Sequence, residues 1–354
     1  MKSGQTLFLD EGAVVYASVH ALDAENIKIL GRGILDNGHN HEVVEFEENV
    51  SGNSKMVKNA KRQHTIQPEY CTGIEINGIT IRNSLVYNVR MIACEDIHIS
   101  NVKIIGSWKY NSDGINSHNT KNLLIENCFI RTFDDSVCVK GFDFYTVDDV
   151  DKAVYEASHH KGKVYETAEH VRVRNCTIWS DYSQSFSIGA ETKAEEIFDV
   201  VFEDSDIIHF NCAAMDCHNI DYADVHHITY QNLNVEYDDT ILCPARQKSD
   251  DHVYENPDPD WTPYLFAVKT TYHPEYSFGG TRRGKSHDLL FKNIRMFGKH
   301  RPKIVMLGYD EEHKTKDVTF ENLYWNGVPV TNWDEFILEW DDEFTENIRL
   351  IVTE

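Results

Sequence analysis

One short β-branched segment recurs along the chain, and it limits what the chain can fold into. The copies read DIHISNVKI (96–104), NLLIENCFI (122–130), HVRVRNCTI (170–178), DVVFEDSDI (199–207), HITYQNLNV (227–235), DLLFKNIRM (288–296) and DVTFENLYW (317–325), with looser copies GIEINGITI (73–81) and NIKILGRGI (26–34). Alternation with period two marks strands, and none of these windows has a helical period. One slot holds Asn101, Asn127, Asn175, Asp204, Asn232, Asn293 and Asn322, with Gly78 and Gly31 in the early copies. Asn, Asp and Gly tolerate a left-handed backbone, so the slot predicts a tight turn between two short strands. Asn amides stacked in such a slot can also hydrogen-bond along a column. Successive slots lie 47, 23, 26 and 48 residues apart, near multiples of a 24-residue coil, and then 29, 28, 61 and 29 apart. A coil of that length with two or three short strands predicts an all-β fold, the right-handed single-stranded parallel β-helix, with coils stacked at about 4.8 Å. A leucine-rich repeat would need a Leu ladder and a helix per repeat. A two-sheet sandwich would not keep one Asn slot through the chain.

The 354 residues then read as a single domain, 1–354, with loop excursions at 142–169 and 238–283 where the period is exceeded. Insertions on one side of a solenoid usually build its binding face. Both excursions are rich in aromatics, among them Phe142, Phe144, Tyr145, Trp261, Tyr264, Tyr272 and Tyr276. At the start of the chain, residues 3–9 already read as strand and residues 12–15 follow at once, which leaves no room for a polar cap. Such an end exposes apolar core and unpaired strand edges. The expectation is a cover from outside the first coil: a second subunit in a homo-oligomer, a domain preceding this chain, or an excursion folded back.

Charge narrows the partners. Lys and Arg total 34 against 58 Asp and Glu, a formal net charge of -24. That surface repels nucleic acid and anionic membranes, so neither is expected as a partner. No apolar stretch is long enough to span a bilayer. The first twenty residues carry Asp10 and Glu11 and no basic start, so they do not read as a secretory signal. The expectation is a cytoplasmic protein, or a secreted one if the N-terminus is truncated. Eight cysteines form no C-x-x-C and no zinc spacing, and they read as buried thiols rather than disulfides.

Chemistry concentrates between strand copies. NSDGI spans 111–115 and FDDSV spans 133–137, one coil later. Asp113 and Asp135 each open a short strand, D-G-I-N and D-S-V-C, which places them side by side on adjacent coils, roughly 5 Å apart. Asp134 precedes Asp135 and points elsewhere. Three carboxylates this close repel one another and raise at least one pKa. Glycoside hydrolysis needs that division, a protonated acid for the leaving oxygen and an ionised base for water. The bland alternative is a solvated turn or a calcium site.

N-S-D-G-I, with D-D-S-V 21 residues after Asp113, resembles the polygalacturonase family of glycoside hydrolases, family 28. A similar motif occurs in the dextranase and isopullulanase family, family 49, of the same clan. The likeness covers the repeat frame from about Gly31 to Val235 and is sharp over some thirty residues. It implies an O-glycosidase in which Asp134 is the general acid and Asp113 and Asp135 hold and activate water. It also implies inversion at the anomeric carbon, whereas carboxylates at that spacing alone would suggest retention. The family carries G-H-G shortly before S-I-G, and here Gln184 takes the histidine's place. The family's R-I-K, which holds the galacturonate carboxylate, is replaced by A-A-M-D-C-H at 213–218. Asp216 stands there, with Glu191 nearby in GAET, so the implied carbohydrate is neutral rather than a uronate.

Candidate substrate-binding residues are Trp108, Lys140, Gln184, Glu191, Asp216 and His218. Lys140 follows Asp135 by five residues and either faces the cleft or neutralises the carboxylates. Trp108 and Tyr110 precede Asp113, and Trp179 and Tyr182 precede the S-I-G run, as a sugar platform or as packing. His118, His209 and His218 do not share a face, so no metal and no cofactor are expected. Two other functions stay open. A catalytically dead carbohydrate-binding β-helix fits the missing family motifs. A β-helix lyase or epimerase would need a basic group beside a neutralised uronate.

Overall fold

The computed structural model describes residues 1–38, 64–107, 111–141, 167–237, 262–274, 277 and 280–353, with backbone also at 45–48 and 54–58. Every element among them is a strand or a turn, and the chain is an all-β right-handed parallel β-helix. Twenty strands form one sheet and ten form another, with a separate antiparallel pair at Glu45–Glu48 and Ser54–Lys58. A coil contributes one strand to the ten-stranded sheet and two to the larger one. One coil runs Val89–Ile92, Glu95–Ser100 and Lys103–Ile105, and the next runs Ile115–His118, Lys121–Glu126 and Phe129–Thr132. Pairing is parallel, with Ile97 opposite Leu123 and Ile99 opposite Ile125. Alternate residues of each strand therefore point inward, and Ile, Val and Leu fill the interior as ladders.

The corner between the two strands of the larger sheet carries the repeated slot. Its Asn and Asp residues have φ from 50° to 57°, the left-handed region that the residue types require. Their amides form a partial ladder: Asn293 Nδ2 donates to Asn232 Oδ1 at 2.9 Å, and Asn322 Nδ2 to Asn293 Oδ1 at 3.3 Å. This corner is two residues long in coil after coil, as at 101–102, 127–128, 175–176, 204–205 and 232–233. Asn293→Ala is expected to cost about 2–3 kcal/mol, from left-handed strain and lost ladder bonds. Asn293→Gly should cost about 1 kcal/mol, because only the ladder goes. Urea midpoints of the two variants measure the difference.

A second left-handed column lies five residues earlier, at Asp96, Asn122, His170, Asp199, His227, Asp288 and Asp317, again with φ from 50° to 57°. The sequence reading missed it, although these residues open the repeat copies quoted above. His at two of the positions hid the pattern. Side chains here also bond from coil to coil: Asn122 Nδ2 donates to Asp96 Oδ1 at 3.0 Å, and His170 Nδ1 lies 2.6 Å from Asp199 Oδ2.

Inside, an aromatic column replaces the aliphatic ladder toward the C-terminal end. Phe202, Tyr230, Phe291 and Phe320 stand in register, with ring centroids 4.9, 4.9 and 4.8 Å apart in turn. That matches the coil spacing and favours near-parallel rings. Trp333 closes the column edge-on to Phe320 at 5.0 Å. The Tyr230 hydroxyl donates to the backbone oxygen of Asp216 at 2.8 Å, so the one polar ring is satisfied.

At the opposite end, Thr6–Leu9, Val14–Tyr16 and Val19–Leu22 each pair on one side only among the described residues. Leu7 and Val15 there are only partly buried. The expected excursions need correction. Thr167–Arg174 and Tyr264–Thr270 are frame strands, so the span 238–283 contains a full strand of the ten-stranded sheet. It escaped notice because no turn slot follows until Asn293. Within the two spans, residues 142–166, 238–261, 275–276 and 278–279 lie outside the described residues. Cys71, Cys94, Cys128, Cys138, Cys176 and Cys217 are free thiols and all are buried.

Candidate active site

The site stands on the outward face of the ten-stranded sheet, where Ile115–His118, Val137–Gly141, Gln184–Thr192 and Ala213–Asn219 lie side by side. Gly114 N donates to Asp135 O at 2.8 Å, and Ile115 N to Ser136 O at 2.9 Å. Asp113 and Asp135 are thus equivalent on neighbouring coils, about one inter-strand spacing of 4.8 Å apart. Glycine between Asp113 and Ile115 has a steric cause: a Cβ there would stand 2.3 Å from Ser136 O.

Each carboxyl has a different environment. Asp134 accepts from the Asn111 N–H and the Asp135 N–H, both at 3.0 Å. Asp135 accepts from the Ser183 hydroxyl at 2.6 Å and the Gln184 N–H at 3.4 Å, with Lys140 Nζ 3.4 Å from its other oxygen. Asp113 accepts from Asn116 Nδ2 at 3.1 Å, and its Oδ1 is buried without a hydrogen bond among the described residues. All three are buried. Burial pushes the Asp113 carboxyl well above the usual range, and the charges of Asp134 and Asp135 push it further. Burial, then Asp135, raises Asp134 to about 6 against the Asn111 N–H. Burial works against a charged Lys140, but Glu191 and Asp135 outweigh it and hold the ammonium well above its ordinary pKa. Asp113 and Asp134 are thus both held toward the protonated form.

Of the candidate binding residues, Lys140 spans Asp135 and Glu191, the latter at 3.0 Å. Gln184 sits directly beside Asp135. Asp216 and His218 lie one strand further on, where Ser187 faces Asp216 and Gly189 faces His218. Trp108, like Tyr110, lies outside the described residues. Trp179 and Tyr182 are engaged elsewhere. Arg131 stacks over Trp179 at 4.6 Å, and the indole donates to Asp181 at 2.7 Å. Tyr182 stacks on Phe133 at 5.1 Å, bracing the residue before Asp134. Among the described residues no group of His, Cys, Asp and Glu is placed to share a metal ion.

Three contributors were not foreseen. Ser183 belongs to no motif, and nothing local marks its bond to Asp135, 48 residues away. Tyr87, whose ring centroid lies 5.8 Å from Lys140 Nζ, carries no motif. Lys269 lay within a supposed excursion. Residues 213–218 do lack a cation, but Lys269 is opposite His218 and its Nζ is 3.4 Å from Asp216 Oδ1.

The family model for glycosyl hydrolases family 28 matches residues 6–151, a span that contains all three carboxylates. A probable polygalacturonase from Vitis vinifera is 31% identical over 133 residues, 37% of this chain and 24% of that protein. An exopolygalacturonase from Arabidopsis thaliana is 32% identical over 111 residues, 30% of this chain and 26% of that protein. The matched segments thus span about a quarter of these relatives' length. Among solved structures, the exopolygalacturonase from Thermotoga maritima shares the fold with a TM-score of 0.63 at 16% identity, covering 93% of this chain and 81% of that one. Dex49A from Penicillium minioluteum does so at 0.59 and 12% identity, covering 97% of this chain and 54% of its own. Over residues 6–151, which hold the N-S-D-G and D-D motifs on adjacent coils of this helix, the chain is similar to glycosyl hydrolases family 28.

Proposed function

We propose that the protein is a glycoside hydrolase acting on a neutral oligo- or polysaccharide with inversion at the anomeric carbon. The observation that carries this reading is the buried trio of carboxyls on two adjacent coils, with Asp134 raised to about 6. A carboxyl with that pKa holds a proton for part of the time near neutrality and can release it to a leaving group. In the proposed step Asp134 gives its proton to the glycosidic oxygen as the bond from that oxygen to the anomeric carbon breaks. Water held by Asp113 and Asp135 attacks the same carbon from the other face and loses a proton to the pair. The products are a hemiacetal sugar and a free hydroxyl.

The preference for a neutral sugar rests on charge pairing. Lys140 lies against Asp135 and Glu191, and Lys269 against Asp216. A uronate would bring another negative charge to cations already paired and to two further carboxyls, Asp113 and Asp134, a costly burial. Reducing-sugar release from a panel of neutral glycans and from polygalacturonate tests this. Turnover of at least one neutral glycan, with polygalacturonate inert, is the expected result. Polygalacturonate turnover comparable with the best neutral glycan would refute the substrate argument.

A further inference from the structure

Asp216 is 1% exposed, and neither of its carboxylate oxygens has a hydrogen bond among the described residues. A buried carboxylate in this state is expensive unless donors reach it. The strand alternation sets its direction. Met215 and Cys217 lie in the core, so Asp216 projects to the outer face, in line with Ser187 and Cys138 on the two preceding coils. The carboxyl trio shares that face, and Asp135 is close enough for its charge to be felt at Asp216.

The neighbours of Asp216 are built for polar recognition. Lys269, from the next coil, approaches one oxygen at 3.4 Å, beyond a good charge-assisted hydrogen bond. His218 is the residue opposite Lys269. Burial and the Lys269 charge hold its imidazole well below the ordinary histidine range, so it is neutral. Its Nε2 lies 2.8 Å from Thr271 Oγ1. The group thus offers carboxylate acceptors beside ammonium donors, and the positive charge is already balanced. Adjacent hydroxyls of a sugar ring, each both donor and acceptor, match that set. A carboxylate ligand does not, because Asp216 repels it.

Resting on the glycosidase reading above, we propose that Asp216 and Lys269 form a subsite that binds a vicinal diol of a neutral sugar next to the cleaved unit, and that Asp216 excludes a uronate there. Asp216 stands one coil beyond Ser187 and two beyond Cys138, so it lies roughly two inter-strand spacings, about 10 Å, along the groove from the strand that follows Asp135. That is a reach for a neighbouring ring, and the substrate is an oligosaccharide.

Calorimetric titration of the Asp134→Asn protein with neutral tri- to pentasaccharides and with trigalacturonate tests the subsite without relying on turnover. Adding Asp216→Asn is expected to weaken neutral binding about 10- to 100-fold, the worth of hydrogen bonds to a charged group. Asp216→Ser should improve trigalacturonate binding by leaving Lys269 unpaired. The double change Asp216→Leu with Lys269→Met removes both charges together and guards against a folding failure, since paired apolar replacements are tolerated. Lost binding with an unchanged melting temperature supports the subsite. Retained neutral binding in the double variant, or no binding of any neutral member before Asp216 is changed, overturns it. Binding that depends on Asp216 in a protein whose wild type hydrolyses none of these glycans would support the subsite and sink the glycosidase reading instead.

Discussion

Asp134→Asn is expected to lower kcat by about 10²- to 10⁴-fold, the usual worth of a general acid. The amide is nearly isosteric and still offers an oxygen to the Asn111 or Asp135 N–H that Asp134 now accepts from at 3.0 Å. The change also removes one of three mutually repelling carboxyls, so the melting temperature should stay level or rise. Leaving-group chemistry makes the test specific. An aryl glycoside with an acidic phenol needs little protonation and should lose far less rate than a natural glycoside. The pH profile follows from the same group. A proton donor raised to about 6 is lost as pH rises through that value, so wild-type kcat should fall on the alkaline side, and the variant should lack that limb. A variant within tenfold of wild type on natural glycosides would show that another group donates.

The largest stability effect is expected from Phe291→Ala. The ring is fully buried. It stacks on Tyr230 at 4.9 Å and Phe320 at 4.8 Å and meets Phe266 edge-on at 4.9 Å. Truncation leaves a cavity in the middle of a column and should cost about 3–5 kcal/mol. Phe297→Ala, at a residue 41% exposed, should stay within about 0.5 kcal/mol and serves as the control. Urea unfolding of both compares them directly. In a solenoid each coil is stabilised by its neighbours, so a loss at Phe291 should also loosen the coils carrying Tyr230 and Phe320. Hydrogen exchange would locate that loosening. A cost below about 1 kcal/mol would mean that the column is not tightly packed.

The parts of this molecule that were legible in the sequence are those set within one coil. The Asn slot is local because a left-handed turn admits few residue types, so it repeats visibly. The pairing of Asp113 with Asp135 was legible because each opens its strand at the same distance from a turn. Contacts that depend on corner length were not. Ser183 reaches Asp135 across a coil whose preceding corner is the long 142–166 span. Lys269 reaches Asp216 across 238–261, and the irregular interval hid its strand. The reading of a cation-free stretch at 213–218 was correct for those residues and incomplete for the groove, because a parallel ladder brings in side chains from the next coil at every position.

The three corners of each coil have unequal freedom. The corner holding the Asn slot keeps its two residues, whereas the intervals on either side of the ten-stranded sheet range from two residues, as at 93–94, to the spans 142–166 and 238–263. The ladders on the far side act as a ruler that holds the coil spacing whatever the near corners carry. Length and register can therefore drift apart: a segment of new length spliced between Gly141 and Thr167, or between Tyr237 and Tyr264, leaves the strand pairing and the spacing of Asp113 from Asp135 as they were. The same coil plan can take chain of any length at those two places, and they are where a designer would insert a new segment without disturbing the ladders.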